Sequence, residues 1–287
     1  MKQVASLRYG VIFKKAFCDP VIFKGFVKDI LNIELEIDHV ETEKSFSPPI
    51  GRVDARFDLF AEDEKNRLVV DIQHVRYGDH YDRFLHYHCV AILEQVAKAE
   101  DYRPRLQVYT IVVLTSGDKH KTDVAISDFT PRDLQGNALE ETEHKIIYLC
   151  PKYVTDETPE PYREWLRAIN DTLDGEVDES QYSHALIQQV FDHIEQDKVS
   201  PQERARMFDE HGQALLRQEK FEKGKAEGKA EGKAEGKIEG KAEGKIEGKA
   251  EGKVEIAQAM LQKGMALDLI SEVTGLPIAE IEQLALK

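Results

Sequence analysis

Residues 57–73 comprise two apolar runs around a charged turn, and each run carries an acid where a buried strand normally has apolar side chains. Side chains along a strand point alternately to its two faces, so Asp71 and Gln73 share one face of the second run. If the hairpin folds symmetrically about the turn at Glu64–Lys65, Asp58 of the first run lies directly opposite Asp71. The pattern therefore predicts a close pair of carboxylates on strands that are otherwise built for burial.

Such a pair indicates a bound cation. Directly opposed residues have Cβ atoms about 4.5–5.5 Å apart and point to the same side. Two carboxylates at that distance repel each other unless a divalent cation lies between them. Asp58 and Asp71 are therefore candidate ligands of a metal-dependent hydrolase, with Asp54 in reserve if a bulge shifts the register. The alternative is an edge hairpin whose two acids face solvent.

These residues resemble the PD-(D/E)XK nuclease fold, in which a first Asp, a hairpin and a (D/E)-x-(K/Q) strand follow one another. More narrowly, the chain resembles the Rpn (recombination-promoting nuclease) and PD-(D/E)XK transposase families over about residues 8–170, and more loosely beyond. The other segments that carry the resemblance are Phe13-Lys14-Lys15-Ala16-Phe17 with Asp19-Pro20, Arg83 and Tyr87 of an R-x-x-x-Y helix, Tyr102 with the run Val108 to Leu114, and a tail of Glu-Gly-Lys-Ala repeats. The resemblance implies an α/β, restriction-endonuclease-like core, a mixed central sheet flanked by helices, with a helical C-terminal extension.

The chain departs from the family pattern at two positions. Gln73 stands where the motif has lysine, a difference that many relatives share. Gly10 stands in the opening helix where relatives often carry an acid, so a third carboxylate from that position is missing.

The resemblance implies a DNA endonuclease that hydrolyses phosphodiester bonds with a water activated by Mg²⁺, with Mn²⁺ as a substitute. Asp58 and Asp71 would hold the metal, and Gln73 would position the water without the positive charge of lysine. Arg83 would contact the scissile phosphate and Tyr87 would orient it. For these last two residues the alternative is an ordinary helix face.

The chain divides into four predicted parts: a nuclease-like core (1–155), a helical extension (156–220), a four-residue repeat that forms a linker or helix (221–253), and a three-helix unit similar to a helix-turn-helix (254–287). In the core, a helix from Tyr81 to Ala99 is predicted, and apolar residues at helical spacing predict its buried face: Leu85, Cys89, Ile92 and Val96. Ser200, Pro201 and Glu203 together predict the start of a helix in the extension.

The repeat places glycine at every fourth residue from Gly224 to Gly252, each followed by lysine. A four-residue period drifts about 40° per repeat around a helix axis, and each glycine costs about 1 kcal/mol relative to alanine. The pattern predicts a polar flexible linker or a frayed helix. The alternative is close packing of these small residues against a partner helix.

The segment after Val254 carries an apolar stripe: Ile256, Met260, Leu267, Ile270, Leu276, Ile278, Ile281 and Leu284. Its last helix offers Glu280, Glu282 and Gln283, which suit DNA phosphates poorly. We therefore expect this unit to dock on a protein partner or on a second copy, giving a homo-oligomer, rather than to read DNA.

The charge of −15 bears on the function. Residues 221–287 contribute −2, so the first 220 residues carry −13 and repel nucleic acid at long range. Contact with DNA is therefore expected to be transient, and two rivals stand beside the nuclease: a catalytically silent binding or assembly module, and a regulator that binds DNA through its tail. The absence of a long apolar run, of a signal-peptide pattern and of clustered cysteines predicts a cytoplasmic protein without membrane contact.

Overall fold

The computed structural model describes residues 1–46, 55–74, 80–95, 104–139 and 141–285, with the backbone alone at 238, 239, 242 and 246. Asp54, Tyr102 and the predicted end of the Tyr81–Ala99 helix lie outside these residues. The chain forms two compact units, Met1–Leu215 and Leu216–Lys287, and each is described by itself.

The first unit is organised by a mixed sheet of six strands in the order β2-β3-β4-β5-β7-β6. β4, β5 and β7 run parallel to one another, and the remaining neighbours pair antiparallel. A separate two-stranded sheet joins β1 to β8. The strands are β1 Lys2–Gln3, β2 Glu41–Phe46, β3 Ala55–Glu62, β4 Asn66–Gln73, β5 Gln107–Leu114, β6 Val124–Asp128, β7 Lys145–Leu149 and β8 Glu176–Val177.

Helices cover both faces of the six-stranded sheet. The α-helices are α1 Gly10–Phe17, α2 Pro20–Leu31, α3 His80–Leu93, α4 Tyr162–Asp171, α5 Ala185–His193, α6 Pro201–Gln262, α7 Leu267–Thr274 and α8 Ile278–Ala285. α1, α2, α4 and α5 pack on one face in a first hydrophobic cluster, and α3 packs on the other in a second cluster. This arrangement confirms the predicted fold class. Across the described part of the chain, no helix has the length and apolar character needed to cross a membrane.

The start of α6 agrees with the sequence prediction in atomic detail. The Ser200 hydroxyl accepts a hydrogen bond from the Glu203 amide, and the Glu203 carboxylate accepts one from the Ser200 amide, at 3.2 and 2.7 Å. Glu203 also forms an ion pair with Lys15 of α1 at 2.9 Å. The first turn of α6 is therefore both capped and fixed against α1.

The predicted buried face of α3 is wrong at Leu85 and Cys89, which are exposed, whereas the predicted Ile92 does pack against the second cluster. The helix residues in that cluster are Phe84, Tyr87, Val90 and Ala91, and His88 is buried beside them. The helix is rotated from the most apolar stripe because His88 has a polar partner inside: its Nδ1 lies 2.9 Å from the hydroxyl of Thr110. Burial of a paired polar group is compatible with a stable core, and an apolar count does not detect it.

In the second unit the repeat is helical throughout, as part of the 62-residue helix α6, and not a flexible linker. Alanine, lysine and glutamate are good helix formers and offset the glycines. A Cβ added at any glycine from Gly224 to Gly252 would meet nothing within 4 Å. Among the described residues, the repeat therefore has no close packing partner.

The three-helix unit has a small core of Ala257, Ile270 and Ile281. Gly264 and Gly275, with φ of +72° and +70°, end the first two helices in the left-handed conformation that glycine allows. Most residues of the predicted apolar stripe contact this core. The prediction is wrong for Ile256 and Ile278, which are 52% and 40% exposed.

Candidate metal centre

The β3–β4 hairpin has the predicted register. Leu59 pairs with Val70 and Glu62 with Arg67, and the side chain of Asp63 closes the turn by accepting hydrogen bonds from two backbone amides at 2.8 and 2.7 Å. The next pair along the hairpin would be Asp58 and Asp71. The ladder stops before it, so these two residues lie where the strands separate.

At this point the two carboxylates replace the backbone ladder. The Asp58 amide donates to Asp71 Oδ1 at 3.1 Å, and the Ile72 amide donates to Asp58 Oδ2 at 3.0 Å. One oxygen of each carboxylate remains outside this pair of bonds. Asp71 is only 5% exposed, and its Oδ2 is buried with no hydrogen-bond partner among the described residues. A buried polar atom of this kind requires an explanation, and a ligand is one.

The alternation of side chains along β3 shifts at Asp58. Phe57 packs in the second cluster, whereas Leu59 packs in the first. On the neighbouring strand, Glu43 has φ of +60°, in the left-handed region that non-glycine residues rarely adopt. Simple antiparallel pairing predicted both carboxylates on one side of the sheet. Instead the Asp58 carboxylate lies beside Lys14 of α1, and the Asp71 carboxylate contacts the backbone amide of Asp58.

Lys14 of α1 lies beside Asp58 of this pair, and the sequence analysis did not assign it a role. Its Nζ is 3.6 Å from Asp58 Oδ1 and also forms an ion pair with Glu43. Glu43 is in turn paired with Arg56. Two features of the sequence indicated that Lys14 could be functional. It lies between apolar residues in a short helix, and it belongs to the family's opening motif.

The electrostatics of Asp71 suit a cation. Burial raises the pKa of Asp71 well above its usual value, and the charge of Asp58 raises it further. The hydrogen bond from the Asp58 amide and the charges of Arg83 and Lys14 oppose this rise. A carboxylate that ionises reluctantly beside a second carboxylate gains stability when a positive ion binds.

Gln73, Arg83 and Tyr87 lie together at the end of β4. Arg83 Nη1 donates to Gln73 Oε1 and Arg83 Nε donates to the Tyr87 hydroxyl, both at 3.4 Å. The guanidinium also lies 5.2 Å from the centre of the Tyr87 ring. Tyr87 is itself buried against Phe57, so its ring gives Arg83 a fixed surface to pack on.

Glu210 of α6 is a second residue that the sequence analysis missed. Its carboxylate accepts hydrogen bonds from the amides of Gly10 and Val11 at 2.7 and 3.2 Å. It lines a cleft of about 530 Å³ together with Lys14 and Glu43. Its separation of 200 residues from Gly10 explains why spacing in the sequence gave no sign of it.

The side chains at the centre fit a divalent cation of the magnesium type. Mg²⁺ keeps several waters and is commonly held by one or two carboxylates plus substrate phosphates. Asp58 and Asp71 supply two such carboxylates, and the unpartnered Asp71 Oδ2 is the observation that fits best. Within the described ranges, no group of three or more His, Cys, Asp or Glu residues has a geometry that could hold a metal ion. Asp54, the reserve ligand, lies outside these ranges.

Comparison with known families agrees with this geometry. The profile described as PD-(D/E)XK nuclease family transposase matches residues 11–220. The profile described as Rpn/YhgA-like nuclease family, C-terminal HTH domain, matches residues 250–286. Neither the curated proteins nor the solved structures gave a match. Because the first profile covers most of the chain, including the hairpin and its carboxylates, the protein belongs to the PD-(D/E)XK nuclease family of transposases, and it carries the C-terminal HTH domain of Rpn/YhgA-like nucleases.

Proposed function

We propose that this protein is a metal-dependent DNA endonuclease that hydrolyses phosphodiester bonds with Mg²⁺, or with Mn²⁺ in its place. The observation that carries the proposal is the reciprocal bracing of Asp58 and Asp71, which leaves a buried, unpartnered oxygen on Asp71. Buried acids without a structural partner are costly to keep in a fold. A role in binding a cation accounts for that cost.

The residues around the pair have complementary roles in this proposal. A bound divalent ion lowers the pKa of a coordinated water and neutralises charge on the phosphate. Asp58 and Asp71 hold the ion, and the amide of Gln73 orients the water. Arg83 contacts the scissile phosphate while its packing on Tyr87 limits its conformations. Lys14 supplies, from α1, positive charge that Gln73 cannot provide.

A neighbouring cleft offers positive charge for contact with DNA despite the negative total. The cleft beside the carboxylates is lined by Lys14, Arg56 and Arg206 but also by Glu43, Asp209 and Glu210, so its formal charges balance. Arg8 and Arg204 line the neighbouring cleft of about 560 Å³ against one acid, Asp174. This second lining provides positive potential for a phosphate backbone, although the domain as a whole repels it.

A catalytically silent binding module is the second candidate. The ion pair between Lys14 and Asp58 favours it, because the ammonium compensates one carboxylate without any metal. In a silent protein this ion pair would be permanent, and divalent ions would not displace it.

For the C-terminal unit we propose pairing with a second copy of the chain, in support of transient DNA cleavage. Five apolar side chains of this small unit remain at least 40% exposed: Ile256, Met265, Leu269, Val273 and Ile278. A core of three fully buried residues gives little stability alone, so covering such side chains would stabilise the unit.

Nicking of supercoiled plasmid by the full-length protein tests the nuclease proposal. We expect cleavage with Mg²⁺ or Mn²⁺ and a loss of at least about 100-fold in Asp71→Asn, since even outer-shell partners of a metal contribute 10–100-fold. Glu157→Gln removes one exposed charge elsewhere and should cleave like the wild type. Metal-dependent cleavage that persists in Asp71→Asn, or no cleavage by the wild type with either ion, contradicts the proposal.

A further inference from the structure

The cleft of about 560 Å³, called the arginine cleft below, has the size and the base of a small-ligand site. Its walls come from the segment before α1, the turn at 173–175 and the start of α6 with the residues that precede it. Its base is apolar, because Val4 and Val199 are buried and Met207 packs on the first cluster. Ligand pockets commonly enclose about 300–1,000 Å³ and combine such a base with a few polar groups.

The two arginines of this cleft are fixed by backbone carbonyls. Arg8 donates to the carbonyl of Leu173, and Arg204 donates to the carbonyl of Gln196 at 2.8 Å. A guanidinium has five N–H donors, so each arginine retains donors for a phosphate after these bonds. Among the described residues of the lining, Asp174 is the one acid, so the arginines leave a positive charge. An anion that enters the cleft therefore meets guanidinium groups that are already oriented.

An aromatic ring stands beside these arginines. Phe208 of α6 lines the cleft and is 77% exposed. It follows Arg204 by four residues, so the two side chains share one face of the helix. A single exposed apolar residue is ordinary on a protein surface, but a ring next to two phosphate-binding groups matches the two halves of a nucleotide. An unpaired base stacks on such a ring, and its phosphate binds the guanidinium groups.

The arginine cleft adjoins the end of β4, where the carboxylate pair lies. His74 directly follows Gln73, the last residue of β4. Burial lowers the pKa of His74, and the charges of Arg8 and His211 act in the same direction, so both of these cleft residues lie near His74. Tyr9 also lines the cleft, and it directly precedes α1, the helix whose lysine contacts the carboxylate pair. A DNA strand at the metal centre can therefore extend into this cleft.

We propose that the arginine cleft binds one nucleotide of an unpaired DNA strand beside the cleavage site, with its phosphate on Arg8 and Arg204 and its base on Phe208. The inference rests on the DNA cleavage proposed above for the place of the cut, and it adds the form of the DNA. The bases of a duplex are stacked on one another, and unstacking them costs free energy. A strand end or a single-stranded segment offers its bases to Phe208 without this cost.

Fluorescence anisotropy of a labelled thymidine oligonucleotide tests the base contact. The full-length protein is titrated in the presence of EDTA, so that binding is measured without cleavage. Phe208→Ala should bind the strand at least about fivefold more weakly, the smaller effect expected for the loss of one stacked base. Phe221→Ala removes the same ring from the same helix outside the cleft, where it is 59% exposed, and should change the affinity less than about twofold. On a blunt duplex of the same length, Phe208→Ala should also have an effect below about twofold.

The salt dependence of binding tests the phosphate contacts separately. Arg8→Gln and Arg204→Gln should each reduce the slope of log affinity against log salt by about 0.7, whereas Phe208→Ala should leave the slope unchanged. Arg105→Gln is the matched control, since Arg105 is exposed and precedes β5 at the end of the sheet opposite Gln73. Circular dichroism confirms the fold of each variant. Because Phe208 is exposed, its variant decides the inference even if an arginine variant fails to fold.

Three results overturn the inference: wild-type affinity for the strand in Phe208→Ala, an equal loss in Phe221→Ala, or binding of thymidine monophosphate as tight as that of the strand. The last result would assign the cleft to free nucleotides. These outcomes are separate from those of the proposed function. Metal-dependent nicking together with an unaffected Phe208→Ala overturns the inference and leaves the nuclease. Strand binding that depends on Phe208, in a protein that cleaves with neither ion, supports the nucleotide site and contradicts the nuclease.

Discussion

The β3–β4 hairpin and the C-terminal three-helix unit acquire their structure in different ways. At the hairpin, Asp58 accepts a hydrogen bond from Ile72 of the next strand and pairs with Lys14 of α1, whose first amide is capped by Glu210 of α6. In the C-terminal unit, the helices end at local glycines and enclose a core of three residues close in sequence. The first region is fixed by long-range contacts, and the second by local signals.

This difference shows where function and assembly can be altered separately. Substitutions at the hairpin change buried charges that have few other polar partners, so they should strongly affect metal binding and cleavage. Substitutions in the exposed repeat and in the small C-terminal core should affect helix stability and association.

Gln73→Ala should lower the cleavage rate by about 100-fold while changing Mn²⁺ affinity less than about threefold. Gln73 contacts Arg83 and is proposed to orient water, so its loss disturbs positioning and not the carboxylates. Single-turnover cleavage and calorimetry of the same preparation measure the two effects. Gln73→Lys serves as the matched variant: it should fold, bind the ion and cleave, because it adds a charge that favours the transition state. An equal loss of affinity and rate in Gln73→Ala would assign this residue to the ion.

Acidification should destabilise the first unit through His88. Burial, together with the charge of His144, lowers the pKa of His88 to about 3. The unfolded chain binds this proton near pH 6.5 and the native chain does not, so stability falls as pH falls below about 6.5. From pH 7 to pH 5 this amounts to about 2 kcal/mol. Residues 216–287 contain no histidine, so the second unit lacks this dependence.

Urea unfolding at several pH values, monitored by the fluorescence of Trp165, measures the effect in the first unit. His88→Leu should reduce the slope between pH 7 and pH 5 whatever its absolute stability, and the lowered pKa values of His74 and His144 account for the slope that remains. An unchanged slope in this variant would show that other groups titrate.

Deletion of residues 221–287 should leave a folded core that still binds Mn²⁺. We expect it to reduce the number of chains per particle and to lower cleavage by about 10-fold at low protein concentration, because a linked second copy raises the local concentration of sites. Light scattering and cleavage across a concentration series measure both effects. Identical masses per particle and identical activity at every concentration would show that the tail assembles nothing.

Two glycine substitutions contrast a packed helix with an exposed one. Gly232→Ala adds a methyl group where nothing lies within 4 Å, and it should stabilise the helix by up to about 1 kcal/mol. Gly25→Ala in α2 should give no such gain, because its new Cβ would overlap Leu186 Cδ1 and repacking costs about 1–3 kcal/mol. Thermal melts followed by circular dichroism compare them. A similar gain in both variants would mean that Leu186 moves aside without cost.

The sequence predicted those features that depend on local pattern. The alternation after Arg67 and the turn at Glu64–Lys65 were sufficient for the hairpin register. The Ser200–Glu203 box predicted the start of α6, because both partners lie within one helical turn. The ends of α6 and α7 coincide with single glycines, Gly264 and Gly275, which are likewise local signals.

The remainder could not be predicted, for physical reasons. The change of side at Asp58 occurs opposite Glu43, which has a left-handed conformation and pairs with Lys14 and Arg56, and the alternation of residues along a strand encodes none of this. Burial of His88 depends on Thr110, a residue on another element. The cost of the glycines favoured a flexible linker or a frayed helix for the repeat, but the repeat is helical. The good helix formers between the glycines offset their cost.

The central claim is that Asp58 and Asp71 hold a divalent ion, and thermal unfolding of the full-length protein with and without Mn²⁺ tests it most directly. At pH 7.5 the raised pKa of Asp71 means that its ionisation costs native-state stability, so metal-free Asp71→Asn should melt above the metal-free wild type. Mn²⁺ at about 100 times its Kd should raise the wild-type Tm by about 5–10 °C, and neither Asp58→Asn nor Asp71→Asn should respond. An undiminished shift in both single variants would contradict the claim.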